Sequence, residues 1–354
     1  MAIDFPPAAP TAGLEMPRVK TTEGRDQVDI SIVIVSFNTR EVLRESLESI
    51  AREQGTFATE IFVVDNNSRD GSIEMVEREF PRVVTIRSDA NLGFGAANNL
   101  ALEQAHGRYI VLLNSDAFLC PDSLRLSVEK MDAAPRVGLA GGRLVGRDQS
   151  WQPSARMFPS ILSDLKTMTG LAAKYPKSKF FGSFDRTWAD PMQPAEVDWV
   201  PGAYSIIRRE ALKQVGFFDP AFFLYSEEVD LCRRIRRAGW KIMYFPEIVV
   251  IHIGGESSRQ IKTLEISSTG AQLIRWRMRS TLLYYRKHHG WQAWLAKMQE
   301  LALYHLIAWK NARSSDPARR ERAERNRNLA KLMHQAWADT QGGRISPPRP
   351  WQFD

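Results

Sequence analysis

An α/β fold, with a mostly parallel central sheet covered by helices on both faces, is predicted by two features of the 354-residue chain. A short β-branched or aliphatic run followed by a helical segment occurs four times in succession, and each strand is followed by small polar or acidic residues. Parallel strands need helical crossovers of this length, and open α/β sheets bind ligands beyond the carboxyl ends of their strands. A third feature sets the limits of that domain: after about residue 270 the alternation gives way to basic, aromatic-rich helical sequence.

The first unit joins DISIVIVS (29–36) to TREVLRESLESIARE, in which Val42, Leu43, Leu47 and Ile50 recur at helical spacing. EIFVVD with SRDGSIEMVEREF, RVVTIR with GFGAANNLALEQA, and YIVLLNSD with PDSLRLSVEKM repeat the pattern. The predicted rim then comprises Ser36, Phe37 and Asn38, next Asp65, Asn66 and Asn67, next Asn91 through Asn98, and last Asn114, Ser115 and Asp116. Beyond residue 140 the sequence turns Pro- and aromatic-rich, as expected of long loops near a cleft, with a helix predicted only over ILSDLKTMTGLAAK. VDWVPGAYSIIRREALKQVGFFD predicts a strand and a short helix, LCRRIRRAGW an amphipathic helix, KIMYFP a strand, and EIVVIHIGG a further apolar run. The expected domains are a flexible leader (1–28) without signal-peptide character, the α/β domain (29–270), a helical basic extension (271–340) and a disordered tail (341–354).

Two cysteines in a chain of this length form no disulfide framework and point to a reducing compartment. No window holds the ~18 uninterrupted apolar residues of a membrane span, so a cytoplasmic protein is expected, or one lying on a membrane. From Ala271 onward 16 Lys and Arg face 6 Asp and Glu, while the first 270 residues carry the remaining 32 against 35, so the basic excess lies entirely at the C-terminal end. Such a block suits an anionic partner or a solvated helical face.

Each candidate for chemistry has a plain structural alternative. Gly93-Phe94-Gly95-Ala96-Ala97-Asn98 imitates a dinucleotide fingerprint, but it follows the third strand and ends on Asn; its glycines suit a close backbone approach. Asp65, at the end of an apolar strand, reads as a turn or cap residue. Asp116 follows three consecutive aliphatics, where a carboxylate is costly unless it is paired or bound to a cation. It is a structural cap or a metal or ligand contact. His252, in IVVIHIGG, is a core histidine or a nitrogen ligand, and Gly254, Gly255, Ser257 and Ser258 after it would form a polar loop able to close over phosphates. Glu227, Glu228 and Asp230 either complement the dipole of the following helix or supply a general base.

Taken together, SIVIVSFNTREVLRESLESI, FVVDNNSRDGS, NLGFGAANN, YIVLLNSDAFL and VPGAYSIIRREALKQVGFFDPAFFLYSEEVDLCRRIRRAGWKIMYFPEIVVIHIGGESS resemble an inverting glycosyltransferase of family 2, whose nucleotide-sugar-binding fold is called GT-A. The resemblance implies that Ser36, Asn38 and Asp65 contact the nucleotide, with Asn67, Asn91, Gly93, Asn98, Asn114, Ser115 and Asp230 around the donor. It makes Asp116 a ligand of Mg²⁺ or Mn²⁺, with His252 as the second, and Glu228 the catalytic base with Glu227 or Asp230 as the alternative. Two departures stand out: Asn114-Ser115-Asp116 replaces Asp-x-Asp, and Glu227-Glu228 replaces Glu-Asp. The motif set looks most like bacterial rhamnosyltransferases that use dTDP-rhamnose for cell-surface polysaccharide, with UDP-galactofuranose or another deoxyhexose donor as alternatives. The implied acceptor is a glycan or a polyprenyl-diphosphate-linked saccharide, met at the cytoplasmic face of the inner membrane.

In the extension, Trp294, Leu295, Met298, Ala302, Leu306 and Trp309 share a helical face, broadened by Leu303 and Ile307. That face suits a bilayer interface, or packing on the α/β domain or on a second subunit in a homodimer. Interleaved Arg and aromatics also occur in nucleic-acid-binding modules, but the stretch is remote from the polar rim and carries no nucleic-acid motif, so no nucleic-acid partner is expected.

Overall fold

The computed structural model describes residues 28–53, 57–254 and 268–347. The leader (1–27), the Gly255–Ser258 part of the polar loop and the last residues of the tail lie outside the described residues. The four strand–helix units form as expected: β1 (Ile30–Ser36), α1 (Arg40–Arg52), β2 (Thr59–Asp65), α2 (Ser72–Glu79), β3 (Val84–Arg87), α3 (Phe94–Leu102), β4 (Tyr109–Asn114), then the short β5 (Ala117–Leu119) and α4 (Ser123–Ala133). β6 (Val137–Val145), β7 (Trp151–Gln152), α5 (Ile161–Met168), α6 (Leu171–Lys174), β8 (Ala195–Glu196), β9 (Tyr204–Arg208), α7 (Arg209–Val215), α8 (Glu227–Arg237) and β10 (Lys241–His252) complete the α/β part. Three helices follow: α9 (Ser268–His289), α10 (Gln292–Asn311) and α11 (Pro317–Asp339).

The main path of the sheet runs β3-β2-β1-β4-β9-β6-β10-β5, with β7 on β6 and β8 on β10. β1 pairs in parallel with both β2 and β4, so the strand order reverses at β1 and opens a crevice at its carboxyl end. β9 is antiparallel to β4 and β6, which makes the sheet mixed. The strands' period of two divides the core cleanly: Ile30, Ile32, Ile34, Val111 and Leu113 pack on α1, α2 and α4, while Val33, Phe62, Val64, Ile110 and Leu112 pack on the α3, α7 and α8 face.

Three expectations change in detail. KIMYFP and EIVVIHIGG are one strand, whose register slips between Phe245 and Val249 around Pro246, a residue with no N–H to donate. The helix over 161–174 is broken in two at Gly170, which takes a left-handed φ of 77°. The tail is not disordered from residue 341: Gly342 and Gly343 are buried, and Arg286 Nε donates to the carbonyl of Gly342 (2.9 Å).

The extension is also less separate than the sequence implies. Tyr284 and Tyr285 of α9, with Ala293 and Ala296 of α10, belong to the same buried cluster as α3, α7 and α8. A second cluster built on Met278, Leu282, Leu301, Tyr304 and Met333 joins the three C-terminal helices to one another.

Candidate active site

The rim assembles at the carboxyl ends of β1, β2 and β4. Ser36 is fully buried, its hydroxyl 3.0 Å from that of Thr39. Asn38, in a left-handed conformation, receives the backbone N–H of Arg69 at its side-chain oxygen (2.7 Å) and donates its own N–H to Ser68 Oγ (3.0 Å), stitching the first rim loop to the second. Asp65 accepts from the N–H of Ser68 through one oxygen (3.2 Å), as a turn residue would. Its other oxygen is buried with no partner among the described residues, and burial pushes its carboxyl above the ordinary range. A buried oxygen left open at a strand end is an acceptor waiting for a donor. Asn67, half-buried and left-handed, lies in the same turn.

Asn66 links this turn to the next loop, donating to Asn91 Oδ1 (2.9 Å) and accepting from the N–H of Leu92 (2.8 Å). Gly93 does not cradle a dinucleotide: a Cβ there would sit 1.9 Å from the carbonyl oxygen of Phe223. The glycine instead admits the segment leading to α8, whose Phe223 carbonyl accepts from the N–H of Phe94 (3.0 Å). Asn98 is buried on α3, where it donates to the Phe94 carbonyl (2.9 Å) and keeps an oxygen with no partner among the described residues. Asn99 clasps Phe218 through both backbone groups, a link that nothing in the sequence marked.

On the far side of β1, Asn114 donates its N–H to the carbonyl of Ala203 (3.1 Å), and Ser115 and Asp116 are buried behind it. β10 returns antiparallel to β5 with His252 opposite Ala117, which brings the imidazole Nε2 to 3.5 Å from Asp116 Oδ1. Gln152 orients that ring. Its amide nitrogen donates to the His252 carbonyl (2.7 Å), so its oxygen faces Nδ1 (3.0 Å), and a neutral ring then carries its proton on Nδ1 and presents the Nε2 lone pair to Asp116. Among the described residues no group of three or more His, Cys, Asp and Glu surrounds this pair. Carboxylate and imidazole alone fit a divalent cation whose remaining shell comes from diphosphate and water.

Glu227 and Glu228 open α8 after two consecutive left-handed residues, Tyr225 and Ser226. Such backbone is strained for side-chain-bearing residues and concentrates at functional sites. Each glutamate has one buried oxygen without a partner among the described residues, and burial raises the proton affinity of both, further for Glu227 through its neighbour's charge. Arg156, stacked on Trp199 (5.0 Å) and close enough to Glu228 to lower its proton affinity, is a cation that the sequence did not reveal. Gln152 touches His252 and Arg156 influences Glu228, and four peptide units span at most about 14 Å. The 152–156 segment thus carries one side chain that contacts His252 and another whose charge acts on Glu228.

Asp230 departs from expectation. It is fully buried and engages Arg234 (2.8 Å), Lys287 (2.7 Å) and His288 (2.7 Å), so it locks α8 to α9. Burial alone would raise its carboxyl; these partners outweigh it and hold it at about 2. Ser280 donates to the Leu224 carbonyl (2.7 Å), and Trp276 stacks on Phe223 at 4.6 Å. Helix α9 thus braces the turn that presents Glu227 and Glu228.

The fold is the GT-A architecture of nucleotide-sugar-dependent enzymes. Two solved structures share it: a mannosyltransferase of Pyrobaculum calidifontis in complex with GDP-Man and Mn²⁺ (TM-score 0.52, 16% identity, 90% of this chain and 87% of that one), and GalNAc-T7 with UDP, GalNAc and Mn²⁺ (TM-score 0.51, 14% identity, 90% and 59%). The family model for glycosyl transferase family 2 matches residues 31–232, more than half of the chain, and the protein belongs to that family. Relatives include N-acetylglucosaminyl-diphospho-decaprenol L-rhamnosyltransferase of Mycobacterium tuberculosis, 26% identical over 76% of this chain and 88% of that protein, and rhamnosyltransferase WbbL of Escherichia coli, 26% identical over 72% and 92%. The chain is a glycosyltransferase with rhamnosyltransferases among its relatives.

Proposed function

We propose that the enzyme transfers L-rhamnose from dTDP-rhamnose, with inversion, to a hydroxyl of a polyprenyl-diphosphate-linked saccharide at the cytoplasmic face of the inner membrane, in the synthesis of cell-surface polysaccharide. The carrying observation is that a carboxylate–imidazole pair, Asp116 with His252 at 3.5 Å, and a glutamate with an open buried oxygen, Glu228, are both served by the 152–156 segment. Asp116 and His252 would hold Mg²⁺ or Mn²⁺, and the bound cation supplies charge neutralisation of the leaving diphosphate. Glu228, half-buried and with one buried oxygen left open, has the raised proton affinity that a general base needs. It accepts the proton of the acceptor hydroxyl as that oxygen bonds to the anomeric carbon and the bond to the diphosphate oxygen breaks on the opposite face. The open oxygen of Asp65 suits the imino N–H of a thymine or uracil base. The names of the rhamnosyltransferase relatives support the sugar and the lipid-linked acceptor.

Calorimetry with dTDP-rhamnose and UDP-galactofuranose, with and without Mg²⁺ or Mn²⁺, tests this reading. The expected result is metal-enhanced binding of dTDP-rhamnose, lost by at least about a hundredfold in Asp116→Ala. Preference for UDP-galactofuranose would reassign the donor, and metal-independent binding unaffected by Asp116→Ala would remove the cation from the site.

A further inference from the structure

Helix α10 buries the side opposite the tryptophan-bearing face, which is the bilayer-type alternative among those the sequence offered. Its buried side consists of Ala293, Ala296, Leu301, Tyr304 and Ala308, together with Glu300, and these residues pack the helix into the molecule. Its tryptophans point outward with Met298 and Leu306: Trp291 just before the helix, Trp294, Met298, Leu306 and Trp309 are all exposed, Trp309 by 75% and Trp291 by 65%. Their spacing places them on one stripe along a helix about 30 Å long. Neither the α/β domain nor the other C-terminal helices cover that stripe.

A second exposed surface adjoins it. α5 packs against α10, with Gln299 reaching Met168, and it leaves Leu162 and Leu165 exposed. The chain then continues through LAAKYPKSKF (171–180), where Tyr175 and Phe180 are exposed alongside Lys174, Lys177 and Lys179. At the other end of α10, Trp309 is followed by Lys310, Arg313, Arg319, Arg320 and Arg322, all exposed.

We infer that this aromatic and basic surface is a membrane-docking face that seats the enzyme on a bilayer containing anionic lipid. Exposed Trp and Tyr beside Lys and Arg match the interfacial zone, where indole and phenol rings sit at headgroup level and cations meet lipid phosphates. A second protein copy fits less well, because lysine is depleted from protein–protein interfaces. Among the described residues no helix is long and apolar enough to cross a membrane, so attachment through this face would be peripheral. The brace between α9 and the Glu227–Glu228 turn would then tie the docked helices to the reacting end of the site. The surface stands on exposure and charge; only its purpose rests on the lipid-linked acceptor proposed above.

Co-sedimentation of the full chain with vesicles tests the inference. Binding is expected to phosphatidylglycerol–phosphatidylethanolamine vesicles, weak or absent with phosphatidylcholine alone, and weakened by salt, with a blue shift of tryptophan fluorescence. The double variant W294E/W309E should lose at least about tenfold in vesicle affinity while keeping its circular dichroism and its binding of nucleotide sugar. No vesicle binding by the wild-type chain, or equal binding by the double variant, overturns the inference. A wild-type dimer that the double variant dissociates would reassign the face to a second copy, and salt-sensitive RNA binding without vesicle binding would reassign it to nucleic acid. Donor calorimetry is independent of every one of these outcomes, so failure of the docking face is distinguishable from failure of the glycosyltransferase reading.

Discussion

The Asp116–His252 pair and the Glu227–Glu228 pair are held in different ways. Asp116, between β4 and β5, and His252, at the end of β10, come together through strand pairing, with Gln152 of β7 as the orienting group. Glu227 and Glu228 sit on a strained turn that depends on side chains some fifty residues later in the chain, Trp276, Ser280, Lys287 and His288. A strand end is placed by a ladder of backbone hydrogen bonds, whereas a turn with two left-handed residues needs outside support. The proposed cation-holding pair is therefore built into the sheet, and the proposed proton acceptor is built into the packing of the C-terminal helices.

This contrast can be broken from either side. The largest effect is expected for Glu228→Gln, which removes the proton acceptor with almost no change in shape: transfer should fall by about 10²–10⁴-fold while donor binding persists. Burial raises the proton affinity of Glu228, so the rising limb of the wild-type pH–kcat profile should lie above the ordinary carboxylate range. Wild-type turnover by Glu228→Gln would move the base to Glu227. Trp276→Ala opens a cavity behind the turn and should cost about 3–5 kcal/mol in denaturant unfolding. Its kcat loss should exceed any loss of metal affinity, and an equal loss of both would deny the separation of the two pairs.

Asp230→Asn is expected to cost about 2 kcal/mol at neutral pH. The Asp230 carboxyl is held at about 2, below its ordinary 3.8, so its contribution is complete above the ordinary value and disappears as pH falls through about 2. Wild type and variant should therefore converge in stability across that acid window, as read by urea unfolding at a series of pH values. The smallest effect belongs to Gln152→Ala, which frees the His252 ring: about 10–100-fold weaker Mn²⁺ binding by calorimetry, with little change in unfolding. Mn²⁺ affinity equal to wild type would show that the ring needs no orientation from Gln152.

Much of this was legible before folding. The repeated strand–helix units, the polar residues that follow each strand and the acidic pair at the start of α8 are local patterns, and each appears where its spacing predicts. Asp65 shows the limit of such reading, because one of its oxygens serves the turn as a plain structural residue does and the other is left open. Asp230 shows it more sharply. From its position it looks like a companion of Glu228, yet two residues along a helix turn the side chain by about 200°, and there it meets cations from α9.

By itself, the sequence determined the alternation that makes a parallel sheet and the chemical types delivered to the rim, whereas the order reversal at β1 came from the structure. These depend on periods of two and 3.6 residues and on the sequence neighbours of each strand end. Only the tertiary structure decided that Gln152 would orient His252, that Gly93 would admit the backbone of Phe223, that α9 would brace the acidic turn, and that the tryptophans of α10 would face outward. Those outcomes depend on contacts between residues far apart in the chain, and in the case of α10 on which of two competent faces packs more closely. Small alanines let helices approach, so the face that reads as less hydrophobic is the one buried.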